Sequence, residues 1–354
     1  MSPAGRLNAS VTRLNGSKSG WPAKAVRVGE LLPPDRLHPA VLAWTKGRRK
    51  AETWSVAFSG GADSLALLLL LWAHWPERRD RLVALHFNHR LRGRESTADE
   101  RFCRRVCAAL GIRLRVGAWV AGRASRARVS EAEARAARHG FFAAALKSLR
   151  GRALWLAHQQ DDIAETMLMR LARGSGLGGL AAPRPVQPAS GGRLHLRPLL
   201  TLKKQELVAA LRRSGAAWRE DSTNEGDAYL RNRVRRRVLP AWVKAAGRDA
   251  LAGAALSREL LEEDEQALDR WTDVVAPPDR AGRLNLRALE GMPRAILRRA
   301  LHRWLLARRP RPDLSRQGFE QLLAAAERNQ PTRFSLGRNG FAVIRDGRLV
   351  FEKI

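Results

Sequence analysis

The string Ser59-Gly60-Gly61-Ala62-Asp63-Ser64 stands between the apolar run Trp54–Phe58 and a leucine-rich stretch that begins at Leu65. Adjacent glycines allow a tight turn and a close backbone approach to a ligand. The amides of such a turn, and of a helix that starts from it, face an anion. The string is not a Gly-x-x-x-x-Gly-Lys-Ser/Thr loop. Asp63 is placed to hold Mg2+ against phosphate oxygens, although Asp63 or Ser64 would equally serve as a helix cap. A second constellation is His158-Gln159-Gln160-Asp161-Asp162 with Glu165. Asp162 and Glu165, spaced i, i+3, share one face at a helix start, where two carboxylates either hold an ammonium group or offset the helix dipole. His86 and His158 read as strand-end histidines with either a structural or a catalytic use. Arg231 to Arg237 carries five arginines in seven residues, which reads as a phosphate-contacting helix or as a solvated one.

The elements that must position these groups alternate. Strands are expected at Trp54–Phe58, Leu82–Phe87, Arg113–Trp119 and Ala153–His158. Helices are expected over Leu65–His74, Asp99–Leu110, from Ser130 (with Glu133 completing a capping box), over Asp162–Arg173 and over Leu202–Ser214. Such alternation predicts an open, mostly parallel α/β sheet with helices on both faces, whose ligands lie beyond the carboxyl ends of the strands. Three of those ends carry Ser59-Gly60-Gly61, His86-Phe87-Asn88-His89 and the His158–Asp162 segment. Gly174–Gly192 reads as a Gly/Pro-rich loop and Trp218–Tyr229 as irregular. Leu230 to about Ala307 has a helical period, and three short apolar runs after Phe334 suggest a closing β-meander.

Of the 354 residues, 65 are Lys or Arg against 34 Asp or Glu, a formal net charge of +31. That surplus is the footprint of a polyanion binder, nucleic acid above all, although Arg-rich composition contributes to it. The longest apolar run, Leu65–Ala73, is far short of the ~20 residues of a membrane span, and no secretory signal opens the chain. Cys103 and Cys107 read as reduced thiols of a cytoplasmic protein rather than a metal site.

The six-residue string resembles the PP-loop of the adenine-nucleotide α-hydrolase-like superfamily. Further segments follow in order: His86-Phe87-Asn88-His89-Arg90-Leu91-Arg92, Ala134-Arg135 through Phe142, Ala157-His158 through Thr166 with Arg173-Gly174-Ser175-Gly176, Arg197-Pro198-Leu199-Leu200, and Asp221-Ser222-Thr223-Asn224 with Tyr229 to Arg235. Together they resemble the tRNA(Ile)-lysidine synthetase family over residues 54–240, with His139 where that family usually has Tyr and Thr223 where it commonly has Ser. The resemblance implies a Rossmann-like PP-loop sheet, ATP and Mg2+ as cofactors, free L-lysine and the CAU-anticodon tRNA(Ile) as partners, and ligation of lysine to C2 of the wobble cytidine through an adenylated intermediate. It implies ATP contacts from Ser59, Gly60, Gly61, Ala62, Asp63, Ser64 and His86, with Mg2+ on Asp63. Arg135, with Arg173 second, becomes the cation for transition-state charge, and Asp162 and Glu165 become the lysine clamp. Arg231, Arg233, Arg235 and Arg236 are then expected to contact tRNA, with Arg298, Arg299, Arg303, Arg308 and Arg309 as a second surface. The competing readings are a thiolase-type PP-loop enzyme acting on tRNA and a non-catalytic tRNA-binding protein. Expected domains are a disordered basic arm over 1–40, the catalytic domain over 41–225, an Arg-rich linker helix over 226–248 and an α-rich tRNA-binding domain over 249–354 that ends in the β-meander. The sequence leaves monomer and homodimer equally open.

Overall fold

The computed structural model describes residues 20–49, 51–89, 94–119, 131–220, 230–277, 279, 281–309, 312 and 314–354. It divides into two compact units, Met1–Glu259 and Leu260–Ile354. The division falls inside a long helix, α11 in the numbering below, rather than at the expected 249.

In the first unit the strands are β1 (Trp54–Ala57), β2 (Leu82–Asn88), β3 (Arg113–Ala118), β4 (Ala153–Trp155), β5 (Val186–Ala189) and β6 (Arg193–Leu196). The helices are α1 (Trp21–Leu31), α2 (Pro39–Thr45), α3 (Ala62–His74), α4 (Arg94–Ala109), α5 (Glu131–Ser148), α6 (Gln160–Leu171), α7 (Leu177–Leu180), α8 (Lys204–Arg213), α9 (Leu230–Arg233), α10 (Leu239–Ala245) and α11 (Ala250–Val275), which continues into the second unit. The sheet runs β3-β2-β1-β4-β6-β5, parallel throughout except for antiparallel β5 on β6. This is the expected open, mostly parallel α/β architecture.

Alternation along the strands explains why both faces are covered. Trp54, Val56, Leu82 and Ala84 point into one core with α1, α3, α4 and α8, whereas Val83, Leu85 and Leu154 pack against Phe142, Ala145 and Leu146 of α5. Leu65 to Leu71 are all buried because α3 lies between the sheet and other helices, so its apolar run is nearly continuous. After β1 the chain winds toward β2 and β3, and after β4 it continues on the other side toward β6. The reversal lies between β1 and β4, so the crevice opens at their carboxyl ends.

Two expectations are corrected. Residues 20–40 are not a disordered arm: Pro22 starts α1, whose Ala25 and Val28 are buried, and Gly29 lets it approach α3 so closely that a Cβ there would meet Ala73 at 2.9 Å. The Gly/Pro-rich stretch 174–192 is not only loop. It holds α7 and edge strand β5, with Gly191 and Gly192 at φ +72° and +68° turning the chain into β6. Pro188 is tolerated because β5 is an edge.

The second unit packs the carboxyl part of α11, α12 (Arg294–Leu306) and α13 (Arg316–Glu327) against a four-stranded antiparallel sheet. Its order is β7-β10-β9-β8, with β7 Leu284–Asn285, β8 Thr332–Ser335, β9 Phe341–Arg345 and β10 Arg348–Glu352. The expected meander thus gains a fourth strand. Asp346 and Gly347, at φ +52° and +74°, close the β9–β10 hairpin between the paired Arg345 and Arg348. Among the described residues no helix is long and apolar enough to cross a membrane.

Candidate active site

The loop after β1 is held by its own side chains. The Ser64 hydroxyl donates to the Gly61 carbonyl at 3.0 Å and accepts from the Ser59 amide at 3.2 Å. The Ser59 and Ser64 hydroxyls lie 3.0 Å apart, and the Gly61 amide donates to Ser59 Oγ at 3.3 Å. Gly60 sits at φ +92°, and a Cβ there would stand 3.2 Å from Cys103 Sγ and from Phe102, so both backbone and space demand glycine. Helix α3 then starts without a side-chain cap, which leaves its first amides to the crevice. The Gly60 carbonyl accepts from the Arg219 amide at 2.9 Å, and Arg219 Nε donates to Asp99 Oδ1 of α4 at 2.7 Å. Ser59, Gly60, Gly61, Ala62, Asp63 and Ser64 therefore form one self-braced turn that leads into uncapped helix amides.

Asp63 lies in the first turn of α3 with Oδ1 buried and unpartnered. Burial pushes its pKa from 3.8 up to about 6. Asp162 and Asp161 push the same way, while Lys204 and Arg235 oppose. A buried, unpartnered carboxylate oxygen beside uncapped helix amides fits a hard divalent cation. His86 is also buried, but it lies behind the loop. Its Nδ1 is 2.9 Å from the Phe58 carbonyl and 3.4 Å from Cys103 Sγ, and burial lowers its pKa. It braces the β1 end from the α4 side, and its Nε2 has no partner.

Across the switch point, Gln159 and Asp162 form the capping box of α6. This leaves Asp162 Oδ1 and the whole Glu165 carboxylate for other partners, and arginines take them. Arg231 Nη2 donates to Asp162 Oδ1 at 2.6 Å and its Nε to Glu165 Oε2 at 2.9 Å. Arg235 donates to Glu165 Oε1 at 2.5 Å and to Oε2 at 3.0 Å. Glu165 is 1% exposed. The reading of Arg231 and Arg235 as phosphate contacts is therefore corrected. They are i, i+4 neighbours whose guanidinium groups turn inward and compensate the buried carboxylate. Arg233 and Arg236, with Arg237, are exposed.

Arg197, at the end of β6, is a site residue that the sequence reading carried only as part of a motif. Its side chain is buried, donating from Nε to His158 Nδ1 at 3.0 Å and from Nη1 to the Arg184 carbonyl at 2.8 Å. Burial lowers its pKa to about 10. Arg135, exposed on α5, acts electrostatically on both His158 and Arg197 and so stands at this side of the crevice. Arg173 is exposed beyond the end of α6. The Ser130 cap, Arg90 to Arg92 and Asp221 to Tyr229 lie outside the described residues.

The second arginine surface is corrected as well. Arg298 pairs with Glu320, Arg299 with Asp269 at 2.6 Å and Arg303 with Asp273 at 2.7 Å. Arg308 donates to the Gly282 carbonyl at 2.7 Å, and Arg309 to nearby carbonyls. Acids on α11 and α13 face α12, so these arginines chiefly hold the unit together.

The PP-loop domain family matches residues 37–242. Fold and turn together thus define a PP-loop protein. Similar curated proteins are the tRNA(Ile)-lysidine synthases of Geobacter sulfurreducens (38% identity, 77% of this chain and 58% of that protein), Xanthomonas campestris (39%, 78% and 63%) and Pseudomonas aeruginosa (36%, 84% and 67%). The chain belongs to the tRNA(Ile)-lysidine synthase family. It spans roughly half to two thirds of the length of the curated relatives it matches. Among solved structures, the U34-tRNA thiolase NcsA of Methanococcus maripaludis aligns with a TM-score of 0.48 at 16% identity, over 68% of this chain and 78% of that one.

Proposed function

We propose that this chain ligates free lysine to the wobble cytidine of the CAU-anticodon tRNA(Ile) at the cost of ATP. The observation that carries the reading is the facing of two unlike sites across one switch point. An anion-receiving glycine turn stands at the end of β1, and a carboxylate pair that already binds nitrogen cations stands after β4. Cytidine O2 attacks the α-phosphorus of ATP, the bond from that phosphorus to the oxygen bridging to the β-phosphorus breaks, and pyrophosphate leaves. The Nε of lysine, having lost a proton, then attacks C2. The C2–O2 bond breaks, AMP departs with that oxygen, and the nitrogen gives up a further proton.

The backbone amides of Gly60, Ala62, Asp63 and Ser64 hold the phosphates in this reading, those of Ser59 and Gly61 being taken by the turn's own hydroxyls, and catalysis is mostly positioning and charge stabilisation. Asp63 would hold Mg2+, which supplies compensation for charge on the departing pyrophosphate. Arg135 faces the charge that builds at the α-phosphate. Lysine enters by exchanging its ammonium for one guanidinium donor of Arg231 or Arg235 on Asp162 and Glu165, and a carboxylate there takes its proton. Arg233, Arg236 and Arg237 contact tRNA phosphates.

The test incubates the protein with ATP, labelled lysine and CAU-anticodon tRNA(Ile). Label in the tRNA is expected, and its absence, with or without pyrophosphate exchange on other nucleic acids, overturns the reading. Glu165→Ala should keep adenylation and lose lysine transfer, whereas Asp63→Ala should lose adenylation.

A further inference from the structure

His158 lies just after β4, between Trp155 and the cap of α6. Trp155 of β4 is in register with Val56 of β1, and His158 follows Trp155 by three residues just as Ser59 follows Val56. The His158 backbone therefore lies beside Ser59 and directly before Gln159, the cap of α6, and its imidazole Nδ1 turns to Arg197 at the end of β6. Among the described residues its side-chain hydrogen-bond partner is Arg197. A guanidinium Nε carries a hydrogen and no available lone pair, so it only donates. The 3.0 Å bond from Arg197 Nε to His158 Nδ1 therefore requires an unprotonated Nδ1. Arg197 is not free to turn away. Its side chain is 7% exposed, its Nη1 is tied to the Arg184 carbonyl, and its own amide donates to Pro185 O at 2.8 Å.

We infer that Arg197 is a positioning residue that fixes His158 as a neutral imidazole with its proton on Nε2, so that His158 meets the reacting phosphate as a hydrogen-bond donor and never as a base. The phosphate role rests on the lysidine-forming reading above; the tautomer does not.

The charges around the ring favour the same state. Burial first, then Arg197 of β6, Arg231 of α9 and Arg135 and Arg138 of α5, hold the His158 pKa well below its ordinary value. Asp162 of α6 acts on Arg197 and keeps that guanidinium charged, while Arg135 opposes it. The two other histidines near Arg197, His139 on α5 and His195 on β6, are likewise lowered, the latter to about 4, chiefly by burial. A second proton on His158 would face Arg197 cation to cation. The Arg197 bond and the surrounding cations thus favour the neutral ring with its proton on Nε2. A neutral donor preorganised toward developing negative charge needs no reorganisation during the reaction. It also leaves proton removal from lysine to the carboxylates.

The experiment is nitrogen-15 NMR of the full chain labelled at its eight histidines, with His158 identified by loss of its signals in His158→Gln. The expected wild-type spectrum has Nδ1 as a lone-pair nitrogen and Nε2 protonated, unchanged from pH 5.5 to 8.5. In Arg197→Met the ring should begin to titrate. A wild-type ring protonated on Nδ1, or one titrating near its ordinary value, overturns the inference without touching the lysidine reading. Activity supplies a second arm, because the amide nitrogen of Gln overlays Nε2 and that of Asn overlays Nδ1. His158→Gln should retain lysine incorporation within about 10-fold, whereas His158→Asn should lose about 100-fold or more, as for a lost oxyanion donor. Equal losses would refute the donor role. Absence of incorporation by the wild type would instead sink the lysidine reading and leave the tautomer to the spectrum.

Discussion

Asparagine at position 63 should make the protein more stable at neutral pH while removing its adenylation activity. Asp63 carries a buried, unpartnered Oδ1, and its pKa stands at about 6 against 3.8 for an exposed carboxyl. Between those two values the folded protein holds a proton that the unfolded chain releases. Stability contributed by the neutral carboxyl is therefore complete below about pH 4 and lost as pH rises toward 6. At about 1.4 kcal/mol per pH unit, the separation amounts to roughly 3 kcal/mol against the wild type at pH 7.5. Asp63→Asn removes the ionisation and keeps the shape. Urea unfolding followed at pH 7.5 without divalent ions should show the variant more stable by about 3 kcal/mol, and at pH 4 the gain should be nearly gone. Adding Mg2+ at pH 7.5 should stabilise the wild type alone, because a bound cation compensates the carboxylate. A variant equal to or weaker than the wild type at pH 7.5 would refute the account. It would show that Asp63 is already solvated or paired and not poised for a cation.

Gly60→Ala places a Cβ at positive φ and 3.2 Å from Cys103 and Phe102, so nucleotide affinity, read by calorimetry with ATP, should fall by about 10-fold or more with stability lowered by about 1–3 kcal/mol; unchanged binding would mean the turn does not face the phosphates. Glu165→Gln leaves Arg231 and Arg235 without their shared carboxylate. Because those side chains keep 28% and 30% exposure, the cost in urea unfolding should be about 2–3 kcal/mol, below that of a fully buried pair, and no cost would show the network to be incidental. Neutralising Arg233, Arg236 and Arg237 together should reduce the slope of log tRNA affinity against log salt by about 2–3, with lysine affinity unchanged; an unaltered slope removes them from the interface.

Much of the site was legible because its residues are local. A strand, two glycines and a helix start lie within a dozen positions, and period and turn chemistry alone locate Ser59 to Ser64. Asp162 and Glu165 were legible for the same reason, being one turn apart. What escaped is long-range pairing. Nothing near Arg197 in sequence announces that its Nε meets His158, 39 positions earlier, and Arg219 reaches Asp99 across 120. Strands β5 and β6 were masked by Gly and Pro, which mark loops unless the strand is an edge. A basic, acid-poor stretch suggests a solvated arm over residues 20–31, yet Pro22, Ala25, Val28 and Gly29 supply a start and one packing face.

The arginines of 231–237 show where charge counting fails and helical geometry would have served better. At about 100° per residue, Arg231 and Arg235 lie within roughly 40° of each other, whereas Arg233, Arg236 and Arg237 fall more than 90° from that side or behind it. One segment therefore presents arginines on two faces, even with a π-helical turn over Val234–Val238. The inward pair meets Asp162 and Glu165, and the others remain exposed. The same division governs α12, where Arg299 and Arg303, one turn apart, both reach Asp269. A net charge of +31 is thus no measure of the surface offered to a polyanion. An arginine whose face carries a second arginine one turn away is as well placed to grip an internal carboxylate as a phosphate. The inward pair also sets the terms for a cationic substrate. If lysine is the substrate, as proposed above, it gains nothing from bulk electrostatics in a chain this basic, and would compete for two carboxylates with guanidinium groups held beside them by the fold. Its binding then depends on how far Arg231 and Arg235 yield, so neutralising either arginine should tighten lysine even as it loosens the fold.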